Sequence, residues 1–129
     1  MLHKTTRVLL VDDDKMMLQV LSDMLNDLGI ADITTALNGV AGIAAFDRMK
    51  QAPDVVLCDL NMPESDGFQL MEQLGSRHFA GGIILVSGMD ERTMNSATLM
   101  ARFHRLNFVA TISKPVEAAA LKAALAKLA

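Results

Sequence analysis

Three consecutive aspartates, Asp12, Asp13 and Asp14, close one apolar run of the chain, and Asp59 closes another. Ser87 follows a third run, and Lys114, joined to Pro115, follows a fourth. If these runs are strands of one parallel sheet, their carboxyl ends share an edge, and residues distant in sequence can meet there. Such a site would hold three carboxylates, a hydroxyl and an ammonium. These groups suffice to bind a divalent cation and to pass a phosphoryl group to an aspartate.

Asp14 alone is explained by capping of the helix that follows it. Asp12 and Asp13 need more, because adjacent carboxylates at a strand end repel one another and Asp59 would join them. A hard, oxygen-ligated ion such as Mg²⁺ relieves that repulsion while keeping several of its waters. Asp13 and Asp59 are assigned as direct ligands, Asp12 as a ligand through water, and the backbone carbonyl of Asn61 as a further ligand. His3, His78 and His104 stand apart from one another, and nothing pairs His with Cys in a zinc pattern; all three are expected at the surface. In the phosphoryl chemistry, Asp59 is the expected acceptor, Ser87 a hydrogen-bond donor to a phosphoryl oxygen, and Lys114 the counter-charge to the same group. A rigid Lys114–Pro115 peptide, cis or trans, would fix the lysine.

The elements that must place these groups alternate along the chain. Val8–Val11, Ile33–Ala36, Val55–Cys58, Ile83–Val86 and Phe108–Ile112 read as strands, mostly short apolar runs of the kind buried on both faces. Between and after them, apolar residues recur at helical spacing: Met17 to Leu28 before Gly29, Asn38 to about Lys50 with an Asn cap, and a stretch after Gly67 capped near Ser65. A further helix is expected over roughly Glu91 to Arg105, and a last one carries Leu121, Leu125 and Leu128. Five strands alternating with five helices predict a doubly wound α/β domain, a parallel sheet between two helical layers.

Length and composition agree. The 129 residues suit one domain, and 51% apolar with 21% charged residues is a globular composition. A net charge of −3 with scattered Lys and Arg gives no footprint for direct nucleic-acid binding. Cys58, the single cysteine, excludes an internal disulfide and suits a reducing, cytoplasmic setting. The first residues lack the apolar core of a signal peptide, and no apolar stretch is long enough for a membrane span. Of the ten methionines, Met17, Met24 and Met71 fall at core-facing helical positions, so core filling is expected rather than a Met-rich recognition surface.

Over essentially its whole length, 1–129, the sequence resembles the receiver domain of two-component response regulators. The resemblance is carried by Val11-Asp12-Asp13, by Asp59-Leu60-Asn61-Met62-Pro63 with Asp66-Gly67, by Ser87, and by Lys114-Pro115. It implies a flavodoxin-like five-stranded sheet of order 2-1-3-4-5, Mg²⁺ dependence, and transfer of a phosphoryl group to Asp59 from a histidine kinase or phosphotransfer protein. It also implies a switched surface that addresses an output domain or effector protein. The domain would be a signalling phosphoacceptor, not an enzyme acting on other substrates, and would assist only its own phosphorylation and dephosphorylation.

In that family an aromatic residue usually stands three positions before the lysine; here the position is Thr111, leaving Phe108 and Phe103 as the remaining aromatic candidates. The Ser87–Lys114 segment is longer than usual by about one helical turn. In that respect it resembles receivers attached to cyclic-di-GMP phosphodiesterase output domains. Asn61 and Met89, each two positions past a site residue, are expected to influence how fast water removes the phosphoryl group. Homodimerisation through the last-helix face is compatible with the sequence.

Three other functions share some of these features. A haloacid-dehalogenase-like phosphatase would use the Asp12-x-Asp14 spacing, but needs a further acidic pair after the lysine, where only Glu117 follows. A flavin-binding module shares the architecture but would want hydroxyls after the first strand and aromatic residues around the ring. A receiver acting as a phosphorylation-independent scaffold would have no need of all five family positions, which here are filled.

Overall fold

The computed structural model describes residues 6–59, 66–88, 95, 98–102 and 104–128. The expectations placed on His3, Asn61, Ser65, Met89 and Phe103 lie outside the described residues.

The chain alternates β1 (Arg7–Val11), α1 (Lys15–Asp27), β2 (Asp32–Ala36), α2 (Gly39–Arg48), β3 (Val55–Asp59), α3 (Asp66–Ser76) and β4 (Gly82–Ser87). A helix α4, described at 95 and 98–102, leads to β5 (Asn107–Ser113) and α5 (Ala118–Ala126). The strands form one parallel sheet in the order β2-β1-β3-β4-β5. This is the flavodoxin-like order that the family resemblance implies.

The apolar runs are continuous because each central strand is buried on both faces and its side chains alternate between two cores. Val8 and Leu10 of β1, Val55 and Leu57 of β3, and Ile84 and Val86 of β4 pack with α1 and α5. Leu9 and Val11, Val56 and Cys58, and Ile83 and Leu85 face the other layer, with α2, α3 and α4. Met71 is fully buried in this second core, while Met17 and Met24 pack at the margin of the first.

Local signals set the helix ends. Asp14 caps α1 by accepting the Met16 amide, and Asn38 caps α2 by accepting the Ala41 amide at 2.7 Å. Gly29, at φ 92°, closes α1, and the Ile30 amide returns to the Leu25 carbonyl at 3.0 Å. The ends of α3 and α4 use the same left-handed turn on residues that are not glycine, His78 at φ 54° and Arg105 at φ 59°. There the Phe79 amide reaches Leu74 and the Leu106 amide reaches Ala101.

One close approach ties α2 to the sheet just before the acids. A Cβ on Gly42 would lie 3.0 Å from a Val11 methyl group, so the missing side chain lets the helix sit directly on the end of β1.

Candidate functional site

Asp12, Asp13, Asp59, Ser87 and Lys114 lie at the carboxyl edge of the sheet. Asp12 follows β1 and is 1% exposed; Asp59 and Ser87 are the last residues of β3 and β4 and are buried. Lys114 follows β5 through a Lys114–Pro115 peptide that is cis. The ladder brings these ends together: Asp59 lies opposite Val86, and Ser87 opposite Ser113. The Lys114 amide donates to the Ser87 carbonyl at 3.1 Å, which joins two of the candidate residues through the backbone.

Carboxylate oxygens of Asp12, Asp13 and Asp59 all lie within 4.8 Å of one another. Lys114 Nζ stands 3.2 Å from Asp59 Oδ2 and 3.7 Å from Asp12 Oδ2. Asp13 is the exposed member of the trio and Asp12 and Asp59 the buried ones, so the cluster opens to solvent on one side. His78 is exposed and His104 half-buried, and neither joins the cluster. The expectation that His104 is a surface residue is therefore only partly met, because its side chain packs against Gly75 of α3.

Electrostatics give the cluster its chemical bias. Burial, and then the nearby Asp59 charge, push the Asp12 carboxyl up to about 6, against the lowering effect of the Asp14 amide and the Lys114 ammonium. Three carboxylates with one ammonium leave an excess of negative charge in a partly dry site. An all-oxygen donor set with that excess fits a hard divalent cation and does not fit zinc.

Some contacts were not visible in the sequence. Asp12 Oδ1 accepts the Asp14 amide at 2.9 Å, and the Asp12 amide donates to the Ala36 carbonyl of β2 at 3.1 Å. Asp14 itself is an exposed cap and is not part of the converging trio. Phe108 stands opposite Ile83, and an extra residue in β5 then shifts the register so that Thr111 stands opposite Leu85. Ile83 is four residues before Ser87, about 13 Å along the strand. Phe108 therefore cannot stand in for an aromatic residue beside the hydroxyl, and the exposed Thr111 leaves that position without one.

Residues 8–126 match the family model of the response regulator receiver domain. The chain belongs to this family. The receiver domain is 28% identical over 88 residues to the chemotaxis protein CheY of Listeria monocytogenes, covering 68% of this chain and 72% of that protein. It is 39% identical over 92 residues to a protein-glutamate methylesterase/protein-glutamine glutaminase of Methanosarcina mazei, covering 70% of this chain. There the receiver domain spans only 24% of the relative's length. A crystal structure of a response regulator from Colwellia psychrerythraea superposes with a TM-score of 0.80 at 26% identity, covering 95% of each chain. Among the described residues, no helix is long and apolar enough to cross a membrane.

Proposed function

We propose that this receiver domain takes a phosphoryl group onto Asp59 from a histidine kinase or phosphotransfer protein, in a Mg²⁺-dependent reaction, and thereby switches a surface read by an output domain or effector. The observation that carries this reading is Lys114 Nζ at 3.2 Å from Asp59 Oδ2, beside the converged carboxylates of Asp12 and Asp13.

An Asp59 oxygen attacks phosphorus, the bond from phosphorus to the donor's imidazole nitrogen breaks, and the imidazole leaves with its electron pair. The product is an acyl phosphate on Asp59. Lys114 supplies positive charge where the phosphoryl oxygens come to lie, and the Ser87 hydroxyl donates to one of them. Asp13 and Asp59, with Asp12 through water and the Asn61 carbonyl, would hold the cation. When bound, Mg²⁺ neutralises the phosphoryl oxygens and orients the group for in-line attack.

The domain acts in this reading as a phosphoacceptor rather than an enzyme on other substrates, and it works in the cytoplasm, which suits a buried Cys58 thiol outside any disulfide. A phosphatase using Asp12 and Asp14 is disfavoured, since Asp14 Oδ1 is engaged in capping α1 and lies outside the trio. Intact-mass measurement after incubation with acetyl phosphate and Mg²⁺ tests the proposal. One labile phosphoryl adduct is expected, removed by chelation of Mg²⁺ beforehand and by Asp59→Asn. An unmodified protein, or an adduct that survives Asp59→Asn, contradicts it.

A further inference from the structure

The turn after β1 holds a relay of hydrogen bonds that the phosphoacceptor reading does not use. Asp12 Oδ1 accepts the Asp14 amide at 2.9 Å, and Asp14 Oδ1 accepts the Met16 amide at 2.9 Å. Two successive Asx-type turns thus connect the first turn of α1 to the cation site. Asp12 is 1% exposed, so protein donors rather than bulk water orient its carboxyl group. With Oδ1 held by the Asp14 amide, Oδ2 is the oxygen on the Lys114 side, 3.7 Å from Nζ.

Asp14 is exposed, with an extended backbone at φ −100° and ψ 110°. An N-cap needs that conformation, and its side-chain oxygen secures it by satisfying an amide that the helix itself leaves without a partner. The same conformation aims the Asp14 amide at Asp12. Loss of the capping oxygen would loosen the first turn of α1 and leave Asp12 without a fixed donor. This is the logic by which outer partners set the orientation of metal ligands.

We infer that Asp14 is a positioning residue: its capping oxygen, not its charge, holds Asp12 in the orientation that receives a divalent cation. The inference rests on the reading of the acidic trio as a Mg²⁺ site. An alternative role for Asp14 is purely electrostatic, as one more negative charge drawing the cation in. The two roles separate chemically, because Asn and Ser can cap as Asp does but carry no charge.

The test is calorimetric titration with magnesium chloride, which suits a chain without Trp or Tyr to report binding by fluorescence. The wild type, Asp14→Ala, Asp14→Asn and Asp14→Ser are compared well below their thermal midpoints, with folding checked by circular dichroism. Asp14→Ala is expected to weaken Mg²⁺ binding about tenfold, and Asp14→Asn and Asp14→Ser to stay near wild type. Phosphorylation by acetyl phosphate at limiting Mg²⁺ should follow the same order. Equal weakening in all three variants assigns the effect to charge and overturns the inference. A lowered thermal midpoint in Asp14→Ala with unchanged Mg²⁺ affinity assigns it to helix stability alone and overturns it too. If the wild type binds no Mg²⁺, the cation reading itself fails with it; if the wild type binds and Asp14→Ala binds equally, only this inference fails.

Discussion

Lys114 Nζ lies 3.2 Å from Asp59 Oδ2, although the two residues come from the ends of strands separated in the sheet by β4. The backbone helps to fix this meeting, since the Lys114 amide donates to the carbonyl of Ser87 at the end of that intervening strand. The ammonium also faces Asp12, at 3.7 Å, and so partly offsets the repulsion of two buried acids.

Removing that ammonium should therefore have two opposite effects. Lys114→Ala leaves the trio more negative, and Mg²⁺ binding is expected to tighten, while phosphoryl transfer to Asp59 slows because the transferred group loses its counter-charge. Lys122→Ala, on the exposed face of α5, should change neither. Parallel measurement of Mg²⁺ affinity and of acetyl phosphate turnover checks both signs. A Lys114→Ala protein that behaves like Lys122→Ala would remove Lys114 from the site.

The Asp12 carboxyl predicts how stability follows pH without a cation. Burial, and then the charge of Asp59, raise it from 3.8 to about 6, so the folded protein binds more protons than the unfolded chain between these values. The contribution is fully present below about 4 and is lost as pH rises through about 6, at most about 3 kcal/mol. In chelator, the stability difference between wild type and Asp12→Asn should shift across this window, with the wild type losing ground as pH rises. Saturating Mg²⁺ should reduce that loss, because the ion stabilises the charged form. Urea unfolding at several pH values reads both effects, and a difference that stays flat from pH 4 to 7 would contradict the assignment.

Gly75 tests how α4 is held. A Cβ there would lie 2.8 Å from the His104 Cβ and 3.1 Å from its backbone oxygen, too close for either to stay in place. Gly75→Ala would gain about 1 kcal/mol of helix propensity, yet overpacking costs typically about 1–3 kcal/mol. Net destabilisation is expected, with faster amide exchange in α4, whereas Ser76→Ala at the exposed neighbouring position should be close to neutral. A stabilised Gly75→Ala would mean that α4 yields without penalty.

The alternation of strands and helices was legible because strands buried on both faces leave unbroken apolar runs, whereas the order 2-1-3-4-5 came from the family resemblance; in the parallel sheet the polar residues Asp12, Asp59, Ser87 and Lys114 at the ends of four runs share one edge. What escaped was set by contacts that no periodicity encodes. Nothing in the types His78 and Arg105 announces a left-handed residue, since glycine usually fills that role. The register shift in β5 sets Thr111 opposite Leu85 rather than Val86, and a single extra residue in a strand leaves no trace in composition. Asp14 was legible as a cap, but its amide bond to Asp12 depends on a backbone turn seen only in three dimensions.

In the proposed function, Asp59 is the carboxylate that accepts phosphorus. Treating the protein with acetyl phosphate and Mg²⁺, trapping with borohydride and sequencing the peptides tests it most directly, because reduction converts an aspartyl phosphate to homoserine. Homoserine at position 59, absent without Mg²⁺ and in Asp59→Asn, is the expected result. Homoserine at position 12 or 13 instead, or at none of the three, would contradict it.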